Sequence, residues 1–339
     1  MTPIAFQPDP GRRHWIQTLA GPLEIVCVMG ASLAAAMLIG PMISPGLGEA
    51  LGLGGGPRDL LAGARALALQ FGAQYGVLAA LALVFALLRG RRSARAYAIA
   101  TPASPVTRPL RYGIVLGLVI SVIPSLVFIL QEIAPIGADT PIWAALRTAP
   151  WDLDFWIFMA VGSFLVVPLI EELGWRSYVM GRLLEGFGPG AALMLTTLLF
   201  ALLHVQYLRL DAAMLLTFFG LLIASIGLGF ATLRAGTIWP AVIAHVMINL
   251  PLSTELHAVR IALALLALIV FRKAVAAELA GLVRLVFRLD TLWAIPVLAG
   301  IAGLVGWATV WPAGLPHIAA GLGGLALAGA LVRRSAWKT

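Results

Sequence analysis

Apolar residues run in long uninterrupted blocks along this chain, and polar residues gather in short strips between them. Stretches free of Asp, Glu, Lys and Arg occupy 25–48, 66–88, 112–131, 155–170, 186–208, 212–233 and 235–254. Another covers 261–271 and extends back to 256 across Arg260. The last, 291–332, is interrupted by WPAGLPH (311–317), whose prolines and glycines suit a turn between two helices. A helix needs about 20 mostly apolar residues to cross the hydrocarbon core. The pattern therefore predicts an all-α, polytopic transmembrane helical bundle of about ten helices. The segment 273–290 mixes charged and apolar residues and reads as an interfacial amphipathic helix. Residues 45–60 read as a Gly-rich loop with little to specify structure, and 101–109 as a Pro-rich linker. The first apolar run is too long for a signal peptide and reads as a retained helix.

Composition agrees: the chain of 339 residues is 61% hydrophobic and 11% charged, against about a quarter charged in soluble proteins. The net charge of +8 comes mostly from arginines scattered between the apolar runs, so they mark topology and do not form a nucleic-acid surface. Arg89, Arg91, Arg92, Arg95, Arg108 and Arg111 sit in one acid-free connection, whereas Glu132, Asp139, Asp152 and Asp154 dominate the next. The positive-inside rule puts the first in the cytoplasm and the second outside. Arg12, Arg13, Arg272, Lys273, Arg333, Arg334 and Lys338 then fall inside, with both termini. Three parts follow: N-terminal helices with a cytoplasmic loop (1–150), central helices (151–254) and C-terminal helices (255–339). The one cysteine, Cys27, excludes an internal disulfide and reads as a small packing residue.

Ionisable residues inside a membrane segment tend to face the bundle interior and mark function. Here Glu171, Glu172, Arg176, His204, His245 and Asn249 lie in one third of the chain. Glu172 and Arg176, four apart, share a helix face and suit mutual neutralisation. Glu171, about 100° round the helix, needs a partner from elsewhere. GFGPG (186–190) suits a helix–helix turn, and Glu171 precedes its centre by as much as His204 follows it. At about 1.5 Å per residue both lie ~25 Å from the tip, level in an antiparallel hairpin. A carboxylate and an imidazole at one depth suit a general-base pair or two metal ligands. His245 and Asn249, after a second turn at 234–236, point the same way. Phe200, one turn before His204, is placed to wall a pocket. Trp175 and Tyr178 are further lining candidates, Tyr178 because seven residues bring it nearly back to the Glu171 face. Trp15, Trp143, Trp151, Trp311 and Trp337 flank apolar runs as interface anchors. His14, His257 and His317 lie in the tail, near an interface and in the last loop.

Glu171-Glu172-x-x-x-Arg176, Phe200-x-x-x-His204 and His245-x-x-x-Asn249, in this order on consecutive apolar runs, resemble the CPBP family of CAAX-processing and bacteriocin-processing intramembrane endopeptidases. This is also called the Abi or type II CAAX prenyl protease family. The stretch 227–249 resembles it too, while Ser177 stands where many members have glycine. The resemblance implies an eight-helix core, with 291–332 as an extra C-terminal hairpin. It also implies an intramembrane protease. Glu171 would then be the general base of a water. His204 would hold that water or move a proton, and His245 and Asn249 would stabilise the oxyanion or bind the water. Glu172 and Arg176 would support them. Glu171, His204 and His245 could hold zinc with an open position, and a glutamate-activated water without metal explains the same residues. The expected partners are membrane lipid and a membrane-associated peptide or protein substrate. The Ala, Gly, Leu and Arg bias suggests a GC-rich bacterial genome, hence the cytoplasmic membrane, and a substrate other than a prenylated CAAX protein. A non-catalytic scaffold or bacteriocin-immunity protein of the same fold, and a transporter, are the alternatives. The sequence sets no oligomeric state.

Overall fold

The structure is a computed structural model and describes residues 15–90, 97–99, 107–134, 141–204, 207 and 212–287. The proposed hairpin at 291–332 lies outside the described residues. Helices are α1 (Trp15–Ala50), α2 (Leu60–Leu88), α3 (Thr107–Ile120), α4 (Val122–Ile133), α5 (Pro141–Arg147) and α6 (Leu153–Met159). After them come α7 (Val166–Glu172), α8 (Met180–Leu184), α9 (Pro189–Leu203), α10 (Ala212–Ala235), α11 (Trp239–Asn249), α12 (Thr254–Val270) and α13 (Arg272–Val286). Two π-helical segments, π1 (Ala160–Phe164) and π2 (Leu173–Val179), flank α7. No strand occurs among the described residues.

Among the described residues, five segments are long and apolar enough to cross a membrane: Ala20–Ile43, Leu60–Leu88, Pro109–Ile133, Leu153–Leu184 and Ala212–Ala235. The fourth charge-free run ends at Ile170, and the rod continues through α7, π2 and α8, as the hairpin geometry requires, so Glu171, Glu172 and Arg176 are enclosed within it. The Glu172 and Arg176 charges are tolerated there because they pair inside the bundle. Two of the predicted spans are shorter than their apolar runs: α9 has 15 residues and α11 has 11. At about 1.5 Å per residue these are ~22 and ~16 Å long, less than the ~30 Å hydrocarbon thickness.

The expected loop at 45–60 is helical in its first part, because α1 continues to Ala50 through Pro41 and Pro45. The chain then turns through Gly52 and Gly55, and Asp59 caps α2 by accepting from the Ala62 N–H at 2.9 Å. Cys27 lies on an exposed face of α1 and packs no interior. His257 is buried: its Nδ1 meets Ser125 Oγ of α4 at 3.0 Å, and its ring lies 4.4 Å from Phe128. The amphipathic segment expected at 273–290 forms α13, tied to the end of α10 by two hydrogen bonds from Arg234 to Glu278.

Close helix contacts place the central helices. Gly113 and Gly117 of α3 face α11: a Cβ on Gly113 would meet Pro240 O at 2.8 Å, and one on Gly117 would meet Ala244 Cα at 3.0 Å. This is small-xxx-small packing, by which backbones approach within a membrane. The predicted turn at 234–236 is made by Gly236 at φ +68°, a conformation that a side chain resists. Near the other end of α8, Glu24 of α1 accepts hydrogen bonds from Tyr178, Arg182 and Arg89, and Arg182 also donates to Glu185 at 2.7 Å. Arg89, read as a topology marker, is thus also, with Arg182, a partner of a buried acid. Ser177 donates to the Tyr97 carbonyl at 2.5 Å.

Candidate active site

The site assembles where α7, the C-terminal end of α9 and the middle of α11 meet. Glu171 is the penultimate residue of α7, His204 follows the last residue of α9, and His245 lies within α11. His204 Nε2 is 3.9 Å from Glu171 Oε1, and His245 Nε2 is 3.8 Å from Glu171 Oε2. The equal spacing of Glu171 and His204 about the 186–190 turn does bring them level. Glu171 keeps 12% of its side chain accessible and His204 20%, so the cluster is sheltered but open.

Both imidazoles are held from behind. His204 Nδ1 lies 2.8 Å from the Phe200 carbonyl, which can only accept, so Nδ1 carries the proton. His245 Nδ1 lies 2.8 Å from Glu172 Oε1 and donates likewise. In the neutral rings, both Nε2 atoms then present lone pairs toward the Glu171 carboxylate. Acceptors facing one another at 3.8 and 3.9 Å form no direct hydrogen bond. A shared water oxygen spans such gaps while donating to both sides. The Tyr75 hydroxyl of α2 also lies within electrostatic reach of Glu171.

Glu172 is fully buried and accepts from Arg176 Nη1 at 3.0 Å through the oxygen that His245 uses. Neutralisation, the role read from its spacing, is thus one of two: Glu172 also orients His245. Arg176 extends to Ser225 Oγ of α10 at 2.9 Å, and its guanidinium carbon lies 4.6 Å from the centre of the Phe200 ring. Phe200 in turn packs edge-on against Trp175 with centroids 5.5 Å apart, and touches His204 at 4.5 Å. Phe200 therefore walls the site, with Trp175 behind it.

One expectation comes out differently. Tyr178 sends its hydroxyl to Glu24 Oε1 at 2.9 Å and does not line the site. Seven α-helical residues would return it to the Glu171 face, but π2 intervenes, and its wider turns rotate Tyr178 away. Asn249 does not turn its amide to the carboxylate: Nδ2 donates to the Ser163 carbonyl of π1 at 3.2 Å, while Ser163 Oγ donates to the Asn249 carbonyl at 2.9 Å.

Tyr75, Tyr207, Ser163, Ser225 and Arg260 were missed by sequence reasoning. Tyr207 stacks on His204 at 6.0 Å with rings 5° from parallel. Its place three residues after His204 was a readable signal, as was the Gly113/Gly117 pair that seats α11. Tyr75 and Ser225 carried none, because Gln70 and Gln74 of α2 and Thr217 and Thr232 of α10 stood out as much in the sequence.

The donor types suit zinc, because zinc-bound imidazoles also donate their other N–H to a carboxylate or carbonyl. The spacing does not. Two ligand atoms around tetrahedral zinc stand about 3.3 Å apart, and among the described residues no group of three His, Cys, Asp or Glu is spaced to hold a metal ion.

A membrane bundle with one carboxylate facing two oriented imidazoles has the parts of a hydrolase that works within the bilayer. Residues 153–251, under a third of the chain, match the family described as type II CAAX prenyl endopeptidase Rce1-like. The matched segment runs from the start of α6 to just past α11 and includes every residue of the three motifs. No curated protein and no solved structure matches the chain.

Proposed function

We propose that the protein is an intramembrane endopeptidase in which Glu171 activates a water against a peptide bond of a membrane-associated substrate. The observation that carries this reading is the approach of both Nε2 atoms to the two Glu171 oxygens, at 3.9 and 3.8 Å, with both Nδ1 atoms already engaged. A water between them donates one hydrogen to Glu171 and one to an imidazole, which aims its lone pair at the substrate carbonyl carbon. Glu171 takes the proton as the new C–O bond forms, and delivers it to the amide nitrogen as the C–N bond breaks. Neutral imidazoles with protonated Nδ1 have no Nε2–H for the oxyanion. The second N–H of Asn249, not used by Ser163, is the donor assigned to it. Glu172 and Arg176 keep His245 in the working tautomer. The membrane setting suggested by the composition is the bacterial cytoplasmic membrane, and the substrate class is a peptide or transmembrane segment held in it.

Zinc held by Glu171, His204 and His245 is the rival reading, supported by the two Nδ1 hydrogen bonds. One experiment separates the two. The purified protein in detergent is given internally quenched peptides, one a farnesylated CAAX peptide and the others unprenylated, with and without a chelator. Cleavage that Glu171→Gln abolishes and the chelator leaves unchanged supports the glutamate-activated water. Loss on chelation, restored by zinc, transfers the chemistry to the metal. Full cleavage by Glu171→Gln overturns both.

A further inference from the structure

α11 has 11 residues, and its C-terminal end at Ile248, Asn249 and Leu250 is only partly exposed. The last carbonyls of a helix have no partner within it, and lipid supplies none. Here three consecutive carbonyls are met by side chains from other helices. Arg260 Nη1 of α12 donates to Ile248 O at 3.5 Å, Ser163 Oγ to Asn249 O at 2.9 Å, and Arg260 Nη2 to Leu250 O at 3.3 Å. Arg260 is 5% exposed, and no carboxylate pairs with it among the described residues. Its charge is set against the negative end of the α11 dipole.

The Ser163 contact is reciprocal, and the local backbone explains why. The hydrogen-bond ladder breaks at Leu165, between π1 and α7, and Pro168 has no N–H to offer back to π1. The Ser163 carbonyl is thereby free, and Asn249 Nδ2 occupies it at 3.2 Å. With one amide hydrogen so used, the direction of the other is set by this contact and by the carbonyls on either side.

We propose that Ser163 and Arg260 are positioning residues that aim the Asn249 amide by capping the open end of α11. This rests on the reading of Asn249 as oxyanion donor. The break in the rod carrying Glu171 and the end of the helix carrying His245 are thus joined at one joint.

The test is a double-mutant cycle on cleavage of whichever quenched peptide the wild type cuts. Ser163→Ala is expected to lower kcat roughly tenfold with KM unchanged, and Ser163→Thr to restore it. In the Asn249→Ala background Ser163→Ala should cost nothing more. Arg260→Lys, which keeps the charge but loses the fork, should follow the same pattern. Equal losses in both backgrounds overturn the positioning role while leaving the water reading intact. An Asn249→Ala protein at the wild-type rate removes the oxyanion reading on which it rests. If Ser163→Ala and Arg260→Lys both fail to fold, the contacts are structural and the proposal falls.

Discussion

His245 donates through Nδ1 to Glu172 Oε1 at 2.8 Å, the oxygen that also accepts from Arg176 Nη1 at 3.0 Å. One buried carboxylate therefore neutralises a guanidinium and orients an imidazole. Removing either Glu172 or Arg176 leaves the other charge buried without its counterpart, which costs about 3–5 kcal/mol. Glu172→Ala and Arg176→Ala should each destabilise the detergent-solubilised protein by that order. The double variant should lose much less than their sum, because neither lone charge remains. Unfolding followed by tryptophan fluorescence measures this, and strictly additive losses would contradict a shared role.

The central acid behaves differently. Glu171 is bounded by two imidazole lone pairs and the Tyr75 hydroxyl, and no guanidinium depends on it in the way Arg176 depends on Glu172. Glu171→Gln and His204→Ala should leave the folded fraction and unfolding midpoint near wild type. They should lower peptide cleavage by about 10²–10⁴-fold, the usual worth of a positioned acid–base group. A Glu171→Gln protein that unfolds as readily as Arg176→Ala would make the residue a structural one.

Tyr178 provides a control on the rotation introduced by π2. Its hydroxyl belongs to the Glu24 cluster, so Tyr178→Phe should cost about 1 kcal/mol of stability, as for one hydrogen bond. Its kcat and KM should not change. A loss of cleavage comparable to that of His204→Ala would put the ring back beside the substrate.

The seat of α11 on α3 is tight enough to test by size. Gly117→Val adds atoms where a Cβ alone would stand 3.0 Å from Ala244 Cα and 2.9 Å from Met247 Sδ. Overpacking of this kind costs about 1–3 kcal/mol, and displacement of His245 should lower cleavage in parallel. Gly30→Ala on α1 is the matching control, since nothing lies within 4 Å of its Cβ position. It should be neutral or slightly stabilising.

Several features were legible in the residues alone because they depend on local, additive physics. Long apolar runs force helices in lipid, so the all-α bundle and most of its apolar segments follow from hydropathy. A fixed rise per residue and a glycine–proline turn put Glu171 level with His204, and the i, i+4 spacing paired Glu172 with Arg176. The Phe200 wall followed from the same periodicity. Other features depend on contacts between helices distant in sequence. That Glu172 orients His245, that Ser163 and Arg260 close the end of α11, and that Tyr75 reaches Glu171 were all decided by packing. The two π segments mattered most, because each changes the rotation of everything beyond it. They turned Tyr178 toward Glu24 and freed the carbonyl that holds Asn249. A helical wheel assumes one constant period, and the tertiary structure changed that period on both sides of the acid pair.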